Sequence, residues 1–200
     1  RRFTDDFRGK RGSVVFDSVC SEGVVEKLSK GEYNSVYYYS GRWWLQRVDD
    51  GVVTLRSNEP FAYAFSLTSM EHDKGSSYPE IRNVFFDEFM SRTGYLPDEF
   101  MLFMNTISTI VRQRKDVRIF MAANSVNKVC PYTTEMGLTK FAKMKQGDLD
   151  VYTYGNSGLT VAIEYSDTPA KSKPSDIYFA FDNPKLHMIK GTDGGWEIDV

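Results

Sequence analysis

The sequence is short of the residues that most metal and covalent chemistries require. Its two cysteines, Cys20 and Cys130, lie far apart, and its two histidines, His72 and His187, are isolated. Zinc-type spacing, a Cys–His pairing and a Gly-x-Ser-x-Gly elbow are all missing, so thiol, zinc and serine-hydrolase chemistry have no motif here. The cysteines read as free thiols of an intracellular protein. No apolar stretch reaches membrane-spanning length and no signal peptide is visible, so no membrane partner is expected. Lys plus Arg number 25 against 27 Asp plus Glu, a net charge of −2. Any nucleic-acid contact must therefore come from a local basic patch. Also missing is Gly-x-x-x-x-Gly-Lys-Ser/Thr. Gly9-Lys10 and Gly12-Ser13 do not form it, and without it the chain has no cradle for β- and γ-phosphates. The first residues are Arg1-Arg2 with no initiator Met, as expected of a piece of a longer protein.

What remains is ample for a core. The chain has 200 residues, 41% hydrophobic and 14% aromatic, and shows no internal repeat. Residues 17–30 read as an amphipathic helix weakened by Gly23. A β-meander follows, with strands at 35–39, 42–48 and 52–55 joined at Ser40-Gly41 and Asp50-Gly51, and a further strand candidate at 61–67. Then come a buried strand at 84–86, a helix from Pro97-Asp98-Glu99 to about Lys115, and a second short strand at 117–123. Strand, helix, strand over 83–124 is a βαβ unit of a parallel sheet. Pro131-Tyr132 is expected to break the chain, and 138–145 to form a short helix. From Asp150 onward the pattern is strands and turns, at 151–154, 159–165 and 177–181, with a linker or loop at 167–176.

The chemistry concentrates at Val84-Phe85-Phe86-Asp87-Glu88. An apolar strand ends in two adjacent acids, at the tip where open α/β sheets place ligands. Asp87 can hold Mg²⁺, usually through water, while Glu88 orients or deprotonates the attacking water, which is the Walker B arrangement. A plain strand-to-loop transition reads the same way. Asn124 ends the next strand and can contact a γ-phosphate, or simply turn the chain. Helical periodicity puts Phe100, Phe103, Met104, Ile107, Ile110 and Val111 on one face. Arg114 projects along that face, and Arg112 nearly opposite. Arg112 is therefore the better candidate for an arginine finger reaching a neighbouring subunit, against a basic helix end favoured by the dipole. Lys74 either touches phosphate or a neighbour, or is a solvated loop lysine. Lys140, Lys143 and Lys145 read as a solvated face rather than a DNA contact.

One ordered series carries a resemblance. Ser77-Tyr78-Pro79, Val84-Phe85-Phe86-Asp87-Glu88-Phe89, Leu96-Pro97-Asp98-Glu99, Val111-Arg112-Gln113-Arg114-Lys115-Asp116-Val117-Arg118, Ala123-Asn124-Ser125-Val126 and Pro131-Tyr132 follow one another at nearly preserved spacing. Over residues 74–132 this resembles the genome-packaging (encapsidation) ATPases of small tailed phages, the phage phi twenty-nine group. The resemblance implies an α/β fold with a P-loop ASCE-type parallel sheet core, related to FtsK/HerA translocases, whose N-terminal portion is missing. It implies a partial ATPase core over 1–148 and a β-rich linker or C-terminal segment over 149–200. Arg1-Arg2 would end the family's second strand, with the phosphate loop upstream.

By the same resemblance the cofactors are ATP and Mg²⁺. Asp87 binds the metal, Glu88 is the catalytic glutamate, Arg112 the trans finger and Asn124 a sensor. Arg114 is the alternative finger at the nucleotide, and Lys74 a contact between subunits. The implied partners are double-stranded DNA, a homo-oligomeric ring (a pentamer), the capsid portal or connector and a packaging RNA. The implied place of action is the portal vertex of the viral procapsid in the host cytoplasm. The chain alone would be inactive without its phosphate loop. A Mg²⁺-dependent nuclease and a non-catalytic capsid or DNA-binding module are the competing classes.

Overall fold

Two tight turns organise the first sheet. Ser40 and Gly41, and again Asp50 and Gly51, take positive φ at both central positions, the primed turn whose twist matches antiparallel strands. They join β1 (Ser35–Tyr39), β2 (Arg42–Asp49) and β3 (Val52–Arg56), while a short β4 (Ala62–Tyr63) pairs with the other edge of β2 at Arg42 and Trp43. The strand expected over 61–67 shrinks to those two residues. The computed structural model describes residues 1–69, 77–91, 93–124 and 129–166.

The helix expected at 17–30 is broken where its weakest residue stands. Short helices α1 (Lys10–Ser13), α2 (Asp17–Ser21) and α3 (Val24–Leu28) precede the sheet, and Gly23, at φ 69, separates the last two. Trp43 of β2 is 3% exposed. Phe7, Phe16 and Tyr38 surround its indole at ring-centre distances of 5.8, 5.4 and 4.9 Å, and its Nε1 donates to the Gly12 carbonyl at 2.9 Å. Gly12 must be glycine for this packing. A Cβ there would lie 2.2 Å from the Tyr38 ring and 2.6 Å from the Phe7 carbonyl oxygen. At the chain start, the Arg1 amine donates to Phe65 O and the Leu67 amide to Arg1 O. Bonding to both neighbours of one residue is the parallel pattern, so the backbone of Arg1 lies beside Ser66 as an extended segment.

β5 (Asn83–Asp87) and β6 (Arg118–Ala122) form a two-stranded sheet, linked through α4 (Glu99–Val111). The Arg118 amide donates to Arg82 O at one end, and the Phe89 amide to Ala122 O at the other. Both strands therefore run the same way, as the βαβ reading expects. Along α4, Phe103, Ile107 and Ile110 are buried at helical spacing, and Phe86 stacks on Phe103 at 5.3 Å. Met104, expected on that face, is 41% exposed. The helix also ends four residues before Lys115. Arg112 and Gln113 take φ of 42 and 67, and consecutive left-handed residues stop an α-helix.

Pro131 does not break the chain but opens α5 (Pro131–Glu135), at the position where its missing N–H costs nothing. A single 3₁₀ turn (Phe141–Lys143) follows where a short helix was expected over 138–145. The hairpin β7 (Leu149–Tyr154) and β8 (Leu159–Glu164) then packs one face inward: the Lys140 amide donates to Tyr152 Oη, and Tyr154 Oη to the Met136 carbonyl. Lys140 also pairs with Asp150 at 3.2 Å, while Lys143 and Lys145 are exposed. The strand expected at 177–181 and the linker at 167–176 lie outside the described residues.

The chain forms two compact units, each discontinuous in sequence. One is Arg1–Phe86 with Met101–Phe120, the other Asp87–Phe100 with Met121–Val200. Among the described residues no helix is long and apolar enough to cross a membrane.

Candidate active site

The second unit holds the acidic strand tip. Phe86 is the last buried residue of its strand, Asp87 is half-buried, and Glu88 is exposed. Glu88 takes φ 56, a conformation that non-glycine residues avoid and that marks functional turns when the surroundings enforce it. The surroundings here are Phe89, tied by its amide to Ala122 O at 3.3 Å and packed edge-on against Tyr132 at 5.7 Å, and the buried Met90. The same pairing brings the end of β6 beside the end of β5. Asn124, exposed and two residues past β6, therefore sits at the same sheet end as Asp87 and Glu88.

Beneath this tip is a feature that the sequence reading missed. Glu99, the first residue of α4, is 2% exposed. Its Oε1 accepts from Tyr132 Oη at 2.7 Å and its Oε2 from the Leu96 amide at 2.9 Å. A buried carboxylate is tolerable when both oxygens are occupied, and at a helix start it also complements the dipole. Phe100 packs on the same Tyr132 ring at 6.0 Å. Pro97-Asp98-Glu99 and Pro131-Tyr132 are both legible in the sequence as punctuation. Their meeting across 33 positions is not.

The arginines belong to the first unit, and the structure gives them different surroundings. Arg114 spends its guanidinium on its own backbone. Nε donates to Val111 O, Nη1 to Pro79 O and Ile81 O, and Nη2 to Tyr78 O and Ile110 O, at 2.6–3.1 Å. Five N–H donors meet five carbonyls, which is the full capacity of the group. Arg114 thus clamps the last carbonyls of α4 to the segment that leads into β5, with Asp116 4.0 Å away. Arg112 is exposed at the left-handed helix end. The periodicity used to separate the two arginines does not extend to them, because neither is helical. Their different exposure comes from the turn. Lys74 lies outside the described residues.

No group of three or more His, Cys, Asp or Glu side chains that could hold a metal stands among the described residues. One half-buried carboxylate with an acidic neighbour is a donor set that suits Mg²⁺, which keeps water ligands and takes the rest of its shell from substrate phosphates.

A sequence model of the podovirus DNA encapsidation protein (Gp16) family matches residues 52–153. The chain belongs to this family. The match runs from β3 to β7 and so includes Asp87, Glu88, Arg112, Arg114 and Asn124. Two curated relatives, each named DNA packaging protein, are similar to it. That of Bacillus phage B103 is 30% identical over 79 residues, 38% of this chain and 25% of the relative. That of Bacillus phage phi29 is 32% identical over 73 residues, 35% of this chain and 22% of the relative. The chain therefore matches about a quarter of the length of these family members. In fold it is similar to the crystal structure of the N-terminal domain of the DNA packaging ATPase from bacteriophage phi29, with a TM-score of 0.59 and 22% identity, covering 86% of this chain and 75% of that one. The fold is thus the mixed α/β fold of that domain.

Proposed function

We propose that this chain is part of the ATPase core of a viral DNA-packaging motor, which hydrolyses ATP to drive double-stranded DNA into a preformed capsid. The observation that carries the reading is the parallel β5–β6 pair with Asp87-Glu88 and Asn124 at one end. An ASCE-type P-loop core needs its acidic strand tip and its polar sensor side by side in this way. Family membership and relatives named DNA packaging proteins support it.

In this reading Asp87 holds Mg²⁺, whose charge neutralises that building up on the transferred phosphoryl. Glu88, exposed at the strand tip, takes the proton of the attacking water. Asn124 orients the water or the γ-phosphate by its amide. Arg112 is supplied to the neighbouring subunit's nucleotide, where its guanidinium meets transition-state charge. Arg114 has another duty, holding the turn that presents Arg112. Lys74 acts as a contact between subunits. The subunits form a homo-oligomeric ring, a pentamer, at the portal, together with the packaging RNA. A nuclease would need further carboxylates clustered with Asp87 and Glu88, and no such cluster stands among the described residues.

The test is a mixing experiment on the complete protein. Glu88→Gln subunits should bind ATP without turnover, and Arg112→Ala subunits should also be inactive. Mixed rings should regain part of the activity, because the two defects fall on opposite sides of a shared site. Well-formed mixed rings without any regained turnover would sink the trans assignment.

A further inference from the structure

At Glu88 the left-handed φ of 56 turns the chain out of β5, and the next residue rejoins the ladder. The Phe89 amide donates to Ala122 O at 3.3 Å, on the strand that leads to Asn124. The place of Phe89 therefore fixes the turn at Glu88 from its far side, against the strand that carries the sensor amide. Phe89 is half-buried, and its ring meets the Tyr132 ring edge-on, at 85° with centres 5.7 Å apart. Tyr132 is itself held. Its hydroxyl donates to Glu99 Oε1 at 2.7 Å, Phe100 packs on its ring at 6.0 Å, and the Leu96 amide occupies the other Glu99 oxygen at 2.9 Å. All of these residues belong to the second compact unit.

Apolar burial is non-directional and lets a ring slide, whereas a short O–H···O bond sets where the ring lies. A buried carboxylate is a poor means of gaining stability, because two apolar groups of the same shape would serve nearly as well. What the bond supplies is a fixed edge for Phe89 to rest on. We propose that Tyr132, anchored by Glu99, is a positioning residue for hydrolysis: through the ring of Phe89 it holds the turn that presents Glu88 to the attacking water beside Asn124. This rests on the ATPase reading of the strand tip. Misplacing a reacting group by about 1 Å can cost on the order of 10²-fold in rate. Tyr132 and Glu99 are 1% and 2% exposed, so neither stands where it would touch nucleotide. Their loss should appear in kcat and not in KM.

The experiment uses the complete protein and reads two quantities, ATP turnover and hydrogen exchange at the Phe89 amide. Tyr132→Phe keeps the ring and severs its tie. It should lower kcat by about tenfold and leave the KM for ATP within about twofold. Exchange at Phe89 should speed up by about tenfold while that of the β1–β2 amides is unmoved. Glu99→Gln keeps an acceptor for the tyrosine, so its kcat should stay within about twofold of the parent even as its melting temperature falls. A merely structural role would instead make turnover follow melting temperature across the two variants. Should Tyr132→Phe fail to fold, Phe89→Leu, which leaves the Tyr132–Glu99 bond in place, carries the decision with the same expected fall in kcat. Glu88→Gln in the same series separates the two readings. If it is inactive while Tyr132→Phe and Phe89→Leu turn over like the parent, or while exchange at Phe89 is unchanged in Tyr132→Phe, the positioning role is overturned and the ATPase reading stands. If Glu88→Gln turns over like the parent, both are overturned.

Discussion

Tyr132 donates its phenolic proton to Glu99 over 2.7 Å, and both side chains are almost wholly buried. The bond joins the start of α4 to α5 and lies next to Phe89, the residue just past the acidic pair. Removing the hydroxyl leaves a buried carboxylate oxygen short of a donor. Tyr132→Phe should therefore cost about 1–3 kcal/mol in urea denaturation. Glu99→Gln, which keeps an acceptor for the tyrosine, should cost less than Glu99→Ala.

The two arginines should separate stability from activity. Arg114→Ala discards five hydrogen bonds to carbonyls and should lower stability by about 2–3 kcal/mol. Arg112→Ala, at an exposed position, should shift it by less than about 0.5 kcal/mol while abolishing turnover in the complete protein. Parallel denaturation curves and ATPase rates on the same preparations check both halves.

Glu88 sits at φ 56. Glycine adopts this conformation freely, and alanine does not. Glu88→Gly should therefore be more stable than Glu88→Ala by about 1 kcal/mol, though both lose the carboxylate and hydrolysis. Equal stability of the two would show that the turn relaxes when the acid is gone.

Gly12→Ala places a methyl group against the Tyr38 ring and the Phe7 carbonyl. The ring can move; the carbonyl belongs to the backbone. A loss of about 1–3 kcal/mol is expected, with blue-to-red movement of tryptophan emission as Trp43 is unseated.

Burial, and after it the Glu80 carboxylate, push the Tyr63 phenol up to about 12 from its ordinary 10.0. The folded chain then keeps a proton that the unfolded chain gives up. Stability contributed by this group is full below pH 10 and is lost as pH rises from 10 toward 12. Denaturation midpoints measured across that window should fall more steeply for the parent than for Tyr63→Phe.

Local signals in the sequence proved reliable where they were self-contained. Ser40-Gly41 and Asp50-Gly51 specify their turns by backbone chemistry alone, and the meander follows. Val84 to Asp87 specifies a strand because it is short, apolar and abruptly ended, but not the burial expected of it, since Phe85 is 64% exposed and only Phe86 is buried. The failures share a cause, a local cue reinterpreted by distant partners. Pro131 looks like a break, yet it starts a helix because Tyr132 is anchored to Glu99. The run 112–115 continues the helical composition of α4, yet five carbonyls gathered by Arg114 fold it into a turn. Glu99 looks like an exposed helix-start acid, and only a tyrosine 33 residues away explains its burial.

The two compact units interlace along the chain, which passes from one to the other at 86/87, 100/101 and 120/121. Each passage falls inside a regular element, namely β5, α4 and β6 in turn. No single truncation can isolate either unit, and a fragment that ends at Phe120 keeps the first unit whole but carries only Asp87–Phe100 of the second. Dissection of this protein must therefore proceed by point substitution, and a deletion that silences it says nothing about which residues were at work.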